Sequence, residues 1–283
     1  MVAAGVVVLC APALARAYHW PLKPFDRQHV IRGSFDDPRY GLYFHFGVDI
    51  AAKDGTAVYA VESGTVFRYS DAVAVRRPGG REFSYWHVRA LVPEHAYVQA
   101  GQEIGVVRPG FGHVHFAELD GHTYVNPLRR GALTPYRDTT TPLVGPIDVD
   151  MSSGKLRATV EAFDIPELRP SGAWRDAIFT PEVVRWRLLE RGLAVVPWTT
   201  VANFSRFLEP DKYTSIYAPG TRQNRPNHPG RYLFWLTHGM SVGDGTYAIQ
   251  VEASDTRGNT GAAAYEFDVS GDQILSTTKL ASR

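Results

Sequence analysis

Two groups of residues in this 283-residue chain combine donor types at spacings that suit a metal ion. The first is His113-Val114-His115, continued by Phe116-Ala117-Glu118. It reads as a β-strand, on which positions i and i+2 share a face about 6.6 Å apart. One imidazole can then ligate an ion while the other serves as a base beside it. Glu118 has the opposite parity and is not expected to be a ligand. The second group is His45-Phe46-Gly47-Val48-Asp49. On a straight strand its two polar ends would lie about 13 Å apart, so Gly47 is expected to supply a bend or a close approach that brings them together. His45, Asp49 and one histidine of the pair offer two nitrogens and one oxygen. That set leaves a fourth tetrahedral position for water, the form of a catalytic zinc site whose water has a pKa near ~7.

The composition removes competing chemistries. Cys10 is the single cysteine and sits in the N-terminal run, so removal of that run leaves no thiol and excludes a cysteine nucleophile, a disulfide framework and a thiolate zinc site. The net charge is +1, with no cationic excess to neutralise a phosphate backbone, so nucleic acid is not an expected partner. The run Val2 to Leu14 is apolar and ends in Ala15-Arg16-Ala17, which reads as an export signal over residues 1–17. It is too short for a stable membrane span, which needs roughly 20 apolar residues. Export places the protein outside the cell or in its envelope.

Strand-like segments must position the donors. In the first part these are Ala57 to Val61, Thr65 to Phe67 and Phe83 to Val88, interrupted by Gly64 and Pro78-Gly79-Gly80. No helix-period segment of useful length is present. Near Thr139-Thr140-Thr141-Pro142 the chain changes character, and eight of its ten histidines precede that point. Beyond it apolar residues alternate with polar ones, as in Leu156/Ala158/Val160/Ala162, Val184/Trp186/Leu188, Tyr247/Ile249/Val251/Ala253 and Tyr265/Phe267/Val269. Asp255 to Asn259 is the expected hairpin turn between the last two, and Pro210 to Pro229 the expected long loop. The expectation is an all-β chain: a β-rich domain over 18–138 and an immunoglobulin-like β-sandwich over 139–283.

Residues 30–130 resemble the lysostaphin-type, or LytM-like, zinc endopeptidases of bacterial peptidoglycan. The resemblance runs through Arg32-Gly33-Ser34-Phe35, His45-Phe46-Gly47-Val48-Asp49-Ile50, Asp54-Gly55-Thr56 and Gly64-Thr65-Val66. It continues through Tyr85-Trp86-His87-Val88, Gln99-Ala100-Gly101, Ile104-Gly105, His113-Val114-His115-Phe116 and Asn126-Pro127. It implies an antiparallel lysostaphin-like peptidase domain, with His45, Asp49 and His115 as zinc ligands. His113 and His87 would then be the catalytic histidines, one acting as base and the other stabilising the oxyanion or protonating the leaving amine. Peptides of peptidoglycan become the implied substrate. A strand ending Phe83, Tyr85, His87 would place Tyr85 on the same face as His87, as a substrate-side residue. The loop Val106 to Gly112 is shorter than is usual in the family, which bears on substrate choice. Two alternatives compete: a non-catalytic cell-wall binding or activator protein on the same fold, and a cupin-like metal site using Glu118. The C-terminal domain is expected to position the enzyme or to bind a partner in the envelope.

Overall fold

The computed structural model describes residues 17–280. The export signal read over residues 1–17 lies outside them except for Ala17. Among the described residues the architecture is all-β and antiparallel, with one four-residue α-helix, Tyr213–Ile216. No helix among them is long and apolar enough to cross a membrane.

The N-terminal sheet contains β1 (Ile31–Gly33), β2 (Val48–Ala51), β3 (Gly64–Arg68), β4 (Ala72–Arg76), β5 (Glu82–Trp86), β6 (Tyr97–Val98), β7 (His113–Asp120) and β8 (Thr123–Val125). Their order is β1-β2-β7-β5-β4-β3-β6, with β8 on β7. A smaller sheet, from Ala57–Tyr59, Glu103–Val107 and Val88–Ala90, flanks it. Alternation along three adjacent strands sends Val48 and Ile50, Val114 and Phe116, and Phe83 and Tyr85 into one core with Val66, Val73 and Val75. The same period of two puts Asp49, His113, His115 and Trp86 on the opposite face. Register aligns them, because His115 pairs with Asp49 of β2 on one side and with Trp86 of β5 on the other.

The C-terminal part forms two antiparallel sheets. One is β9 (Leu143–Ser152), β10 (Lys155–Phe163) and β13 (Leu233–Met240). The other contains β11 (Val183–Glu190), β12 (Leu193–Asn203), β14 (Gly245–Ser254), β15 (Thr260–Ser270) and β16 (Gln273–Lys279), ordered β12-β11-β14-β15-β16. Val160, Trp186, Leu188, Phe234, Ile249, Val251 and Phe267 fill the shared core between them. The expected turn at Asp255 does join β14 to β15, closed by the Asp255 carboxylate accepting from the Asn259 N–H.

Two expectations need correction. Phe83 to Val88 is not one strand, because β5 ends at Trp86 and His87 adopts φ 65° before the next strand begins at Val88. Tyr85 is fully buried and its hydroxyl accepts the Val61 N–H at 2.8 Å. Its ring packs against Phe116 in the core, so Tyr85 faces away from the histidines instead of towards a substrate.

One residue of the N-terminal half belongs to the other core. Phe44 is fully buried among C-terminal aromatics, with ring centroids 5.4 Å from Tyr213, 5.8 Å from Tyr217 and 6.1 Å from Phe204. Around it, Thr180 donates to the Asp37 carboxylate, Tyr217 donates to the Asp36 carbonyl, and Gln223 accepts the Tyr40 N–H. The segment leading to His45 is therefore held on both sides.

Candidate metal centre

His45 follows Phe44, so alternation turns its ring the other way, towards β7. Its Nδ1 lies 2.6 Å from the Ser34 carbonyl, which can only accept; Nδ1 therefore carries the proton and Nε2 presents a lone pair. That Nε2 lies 2.7 Å from His115 Nδ1 and 3.1 Å from Asp49 Oδ1, while His115 Nδ1 lies 3.2 Å from the same carboxylate oxygen. All three residues are buried. A tetrahedral ion with bonds of ~2.0–2.1 Å holds its ligand atoms about 3.4 Å apart. The triangle of two nitrogens and one carboxylate oxygen is near that size, so the residues present fit a divalent metal.

Gly47 makes this convergence possible. A Cβ there would overlap the Phe116 carbonyl oxygen and lie 2.9 Å from the His115 ring. The backbone passes directly over β7 at this point, the close approach that the sequence called for. Gly47→Ala is expected to push the His45 loop off the sheet and lower metal affinity by ~100-fold or more. Metal titration of the purified variant checks this, and unchanged affinity would refute the role given to the contact.

Charged neighbours fix the ligands. The second oxygen of Asp49 accepts from Arg39 Nη2 at 2.8 Å. Burial opposes the Asp49 charge, but the Arg39 guanidinium beside it helps hold its carboxyl well below the usual range. Burial pushes both His113 and His115 down to about 4, so each ring is neutral at pH 7 with a lone pair to offer.

The two other histidines border the triangle. His113 Nε2 lies 3.5 Å from Asp49 Oδ1. Its Nδ1 lies 2.8 Å from the Phe111 carbonyl and 2.6 Å from Arg32 Nη2. A carbonyl only accepts and a guanidinium only donates, so this nitrogen can satisfy one of them at a time. The His87 ring sits 4.7 Å from that of His113 and stacks on Phe111 at 4.2 Å. His87 Nδ1 donates to Asp71 at 3.0 Å, leaving Nε2 open, and Asp71 is also paired with Arg108. The short loop that carries Phe111 is pinned by Asp54, whose carboxylate accepts the N–H groups of Gly110 and Gly112.

These groups line an open cleft of about 670 Å³. Its mouth carries Tyr40 and Tyr43, both exposed. Sequence reasoning gave no role to several of its residues, Arg32, Arg39, Tyr40, Tyr43, Asp71, Trp86, Trp174 and Gln223 among them. Trp86 was legible in principle, as the β5 residue of opposite parity to Tyr85. Trp174 and Gln223 come from the C-terminal half, and no local pattern announces them. Glu118 is on the other face of β7, fully buried and paired with Arg81 and Arg129, which removes the cupin-like alternative.

Residues 43–127 match the family described as Peptidase family M23. No curated protein matches the chain. Among solved structures, lysostaphin from Staphylococcus simulans is 15% identical with a TM-score of 0.34, over 94% of this chain and 99% of that one. The deep-sea M23 metalloprotease pseudoalterin is 16% identical with a TM-score of 0.33, over 66% of this chain and 98% of that one. A chain in a complex of SpoIIIAH and SpoIIQ is 22% identical with a TM-score of 0.34, over 39% and 97%.

Proposed function

We propose that this chain, a member of peptidase family M23 through residues 43–127, is an exported zinc-dependent endopeptidase that hydrolyses peptide bonds in the stem or cross-bridge of bacterial peptidoglycan. The observation that supports this most is the convergence of His45, Asp49 and His115 in a cleft that also contains two further histidines. Two imidazoles and a carboxylate, with no thiolate, suit zinc. When bound, zinc supplies Lewis acidity to a carbonyl oxygen and to water.

The chain's own residues do the rest. With Nδ1–H on the Phe111 carbonyl, His113 has a bare Nε2 facing the ligand triangle and can take a proton from water there. His87, with Nδ1–H held by Asp71, can carry a proton on Nε2 to the leaving amine while the carboxylate steadies its positive form. Phe46 and Trp86 pack around His115 and keep bulk water from the ligand side. The reading takes residues 18–138 as the peptidase domain. Residues 139–283 are an immunoglobulin-like module that completes the cleft and binds an envelope partner.

Metal-loaded protein is expected to release peptide fragments from purified peptidoglycan, detected by mass spectrometry. A chelator should stop the release and added zinc restore it. Binding to cell wall with no cleavage under any metal would replace this reading with that of a non-catalytic wall-binding protein.

A further inference from the structure

Arg32 lacks the carboxylate partner that several other arginines of the N-terminal half have. Arg39 pairs with Asp49, Arg76 with Glu82, Arg81 and Arg129 with Glu118, and Arg108 with Asp71. Among the described residues Arg32 has no such partner. Asp49, the carboxylate that acts on it, already gives one oxygen to Arg39 and the other to the ligand triangle. Arg32 Nε is buried without a hydrogen-bond partner. Its Nη2 touches His113 Nδ1, a nitrogen with an acceptor of its own in the Phe111 carbonyl. The guanidinium carbon lies 4.4 Å from the ring centroid of Trp174, which comes from the C-terminal half and fixes the guanidinium from one face. Both residues line the cleft.

A guanidinium half removed from water without an anion is unfavourable, and its planar fork matches the two oxygens of a carboxylate. We propose that Arg32 and Trp174 form a subsite for a substrate carboxylate, so that the cleft selects peptides with a free carboxylate close to the scissile amide. Contact between Arg32 and His113 sets the reach: the carboxylate belongs to the residue bearing the cleaved carbonyl or to its neighbour. Occupancy gives Arg32 its counter-ion and leaves His113 Nδ1 to the Phe111 carbonyl. The proposal rests on the peptidase reading above.

The test uses the zinc-loaded full chain and a stem peptide in two forms, with its carboxylates free and with each converted in turn to a carboxamide. Binding is read by calorimetry and cleavage by mass spectrometry. One carboxamide is expected to bind the parent protein ~10-fold more weakly or worse. Arg32→Gln should bring that ratio close to one at unchanged zinc content, and Arg32→Lys should restore part of it. If Arg32→Gln loses zinc, Trp174→Ala, altered in a half-exposed residue, should still cut the ratio several-fold. Equal binding of acid and amide by the parent, or a parental ratio in both Arg32→Gln and Trp174→Ala, overturns the subsite. Cleavage without discrimination sinks the subsite and leaves the peptidase reading. Discrimination without cleavage sinks the peptidase reading and keeps the subsite.

Discussion

A His115→Ala protein is expected to hold no divalent metal after dialysis and to release peptidoglycan fragments at least ~10³-fold more slowly than the parent, because a metal supplies several kcal/mol at ~1.4 kcal/mol per tenfold in rate. The size follows from the position. His115 is the middle of a row across three strands, and its Nδ1 closes the triangle with His45 and Asp49. Without it two donors remain, and Asp49 keeps Arg39 as its partner instead of an ion. The core lies on the opposite face of β7, where Val114 and Phe116 point, so the sheet should survive the change. His122→Ala, at the exposed turn between β7 and β8, serves as the control and should leave metal content and release untouched. Stoichiometric metal in His115→Ala would show that the triangle is not the binding site.

Phe44→Ala is expected to lower both stability and metal affinity, although the side chain points away from the cleft. Removing a fully buried phenylalanine costs roughly 3–5 kcal/mol, a large share of the ~5–15 kcal/mol that holds a typical domain together. The void opens among Phe204, Tyr213 and Tyr217, one residue from the first ligand. Thermal melting should show a fall of several degrees, and metal titration should weaken by ~10-fold or more as His45 gains freedom. Phe44→Leu, which keeps most of the volume, should recover most of both. A destabilised variant with parental metal affinity would mean that the cleft does not depend on this packing.

Much of the N-terminal face was legible because a period of two is enough to state it. His113 and His115 share a side, Glu118 takes the other, and Asp49 parts company with Val48 and Ile50 for the same reason. Gly47 was legible as a point of close approach, though not what it approaches. Parity failed where the backbone left the strand. His87 turns at φ 65°, so counting from Phe83 put Tyr85 on the wrong side of the sheet. In the C-terminal half, alternation revealed β10, β11, β14 and β15, whose inward residues are buried apart from the partly buried Tyr265. It missed β9 and β13, as well as β16, exposed along most of its length, and β12, an edge strand that contains Pro197 and has few buried residues. The cleft residues Trp174 and Gln223 depend on contacts across well over a hundred positions, which no window of sequence records.

The seating of Phe44 bears on how such a chain can be rearranged by recombination or by design. Two folding units joined only by a tether can be exchanged like cassettes. Here a graft of the histidine-bearing half onto a foreign partner would leave a bare phenyl ring in water beside the first ligand, and would take the Thr180 donors from Asp37 and the Tyr217 donor from the Asp36 carbonyl. A transplant would have to bring along the aromatic socket of Phe204, Tyr213 and Tyr217, together with Thr180. The two halves are in that sense heritable as a single piece.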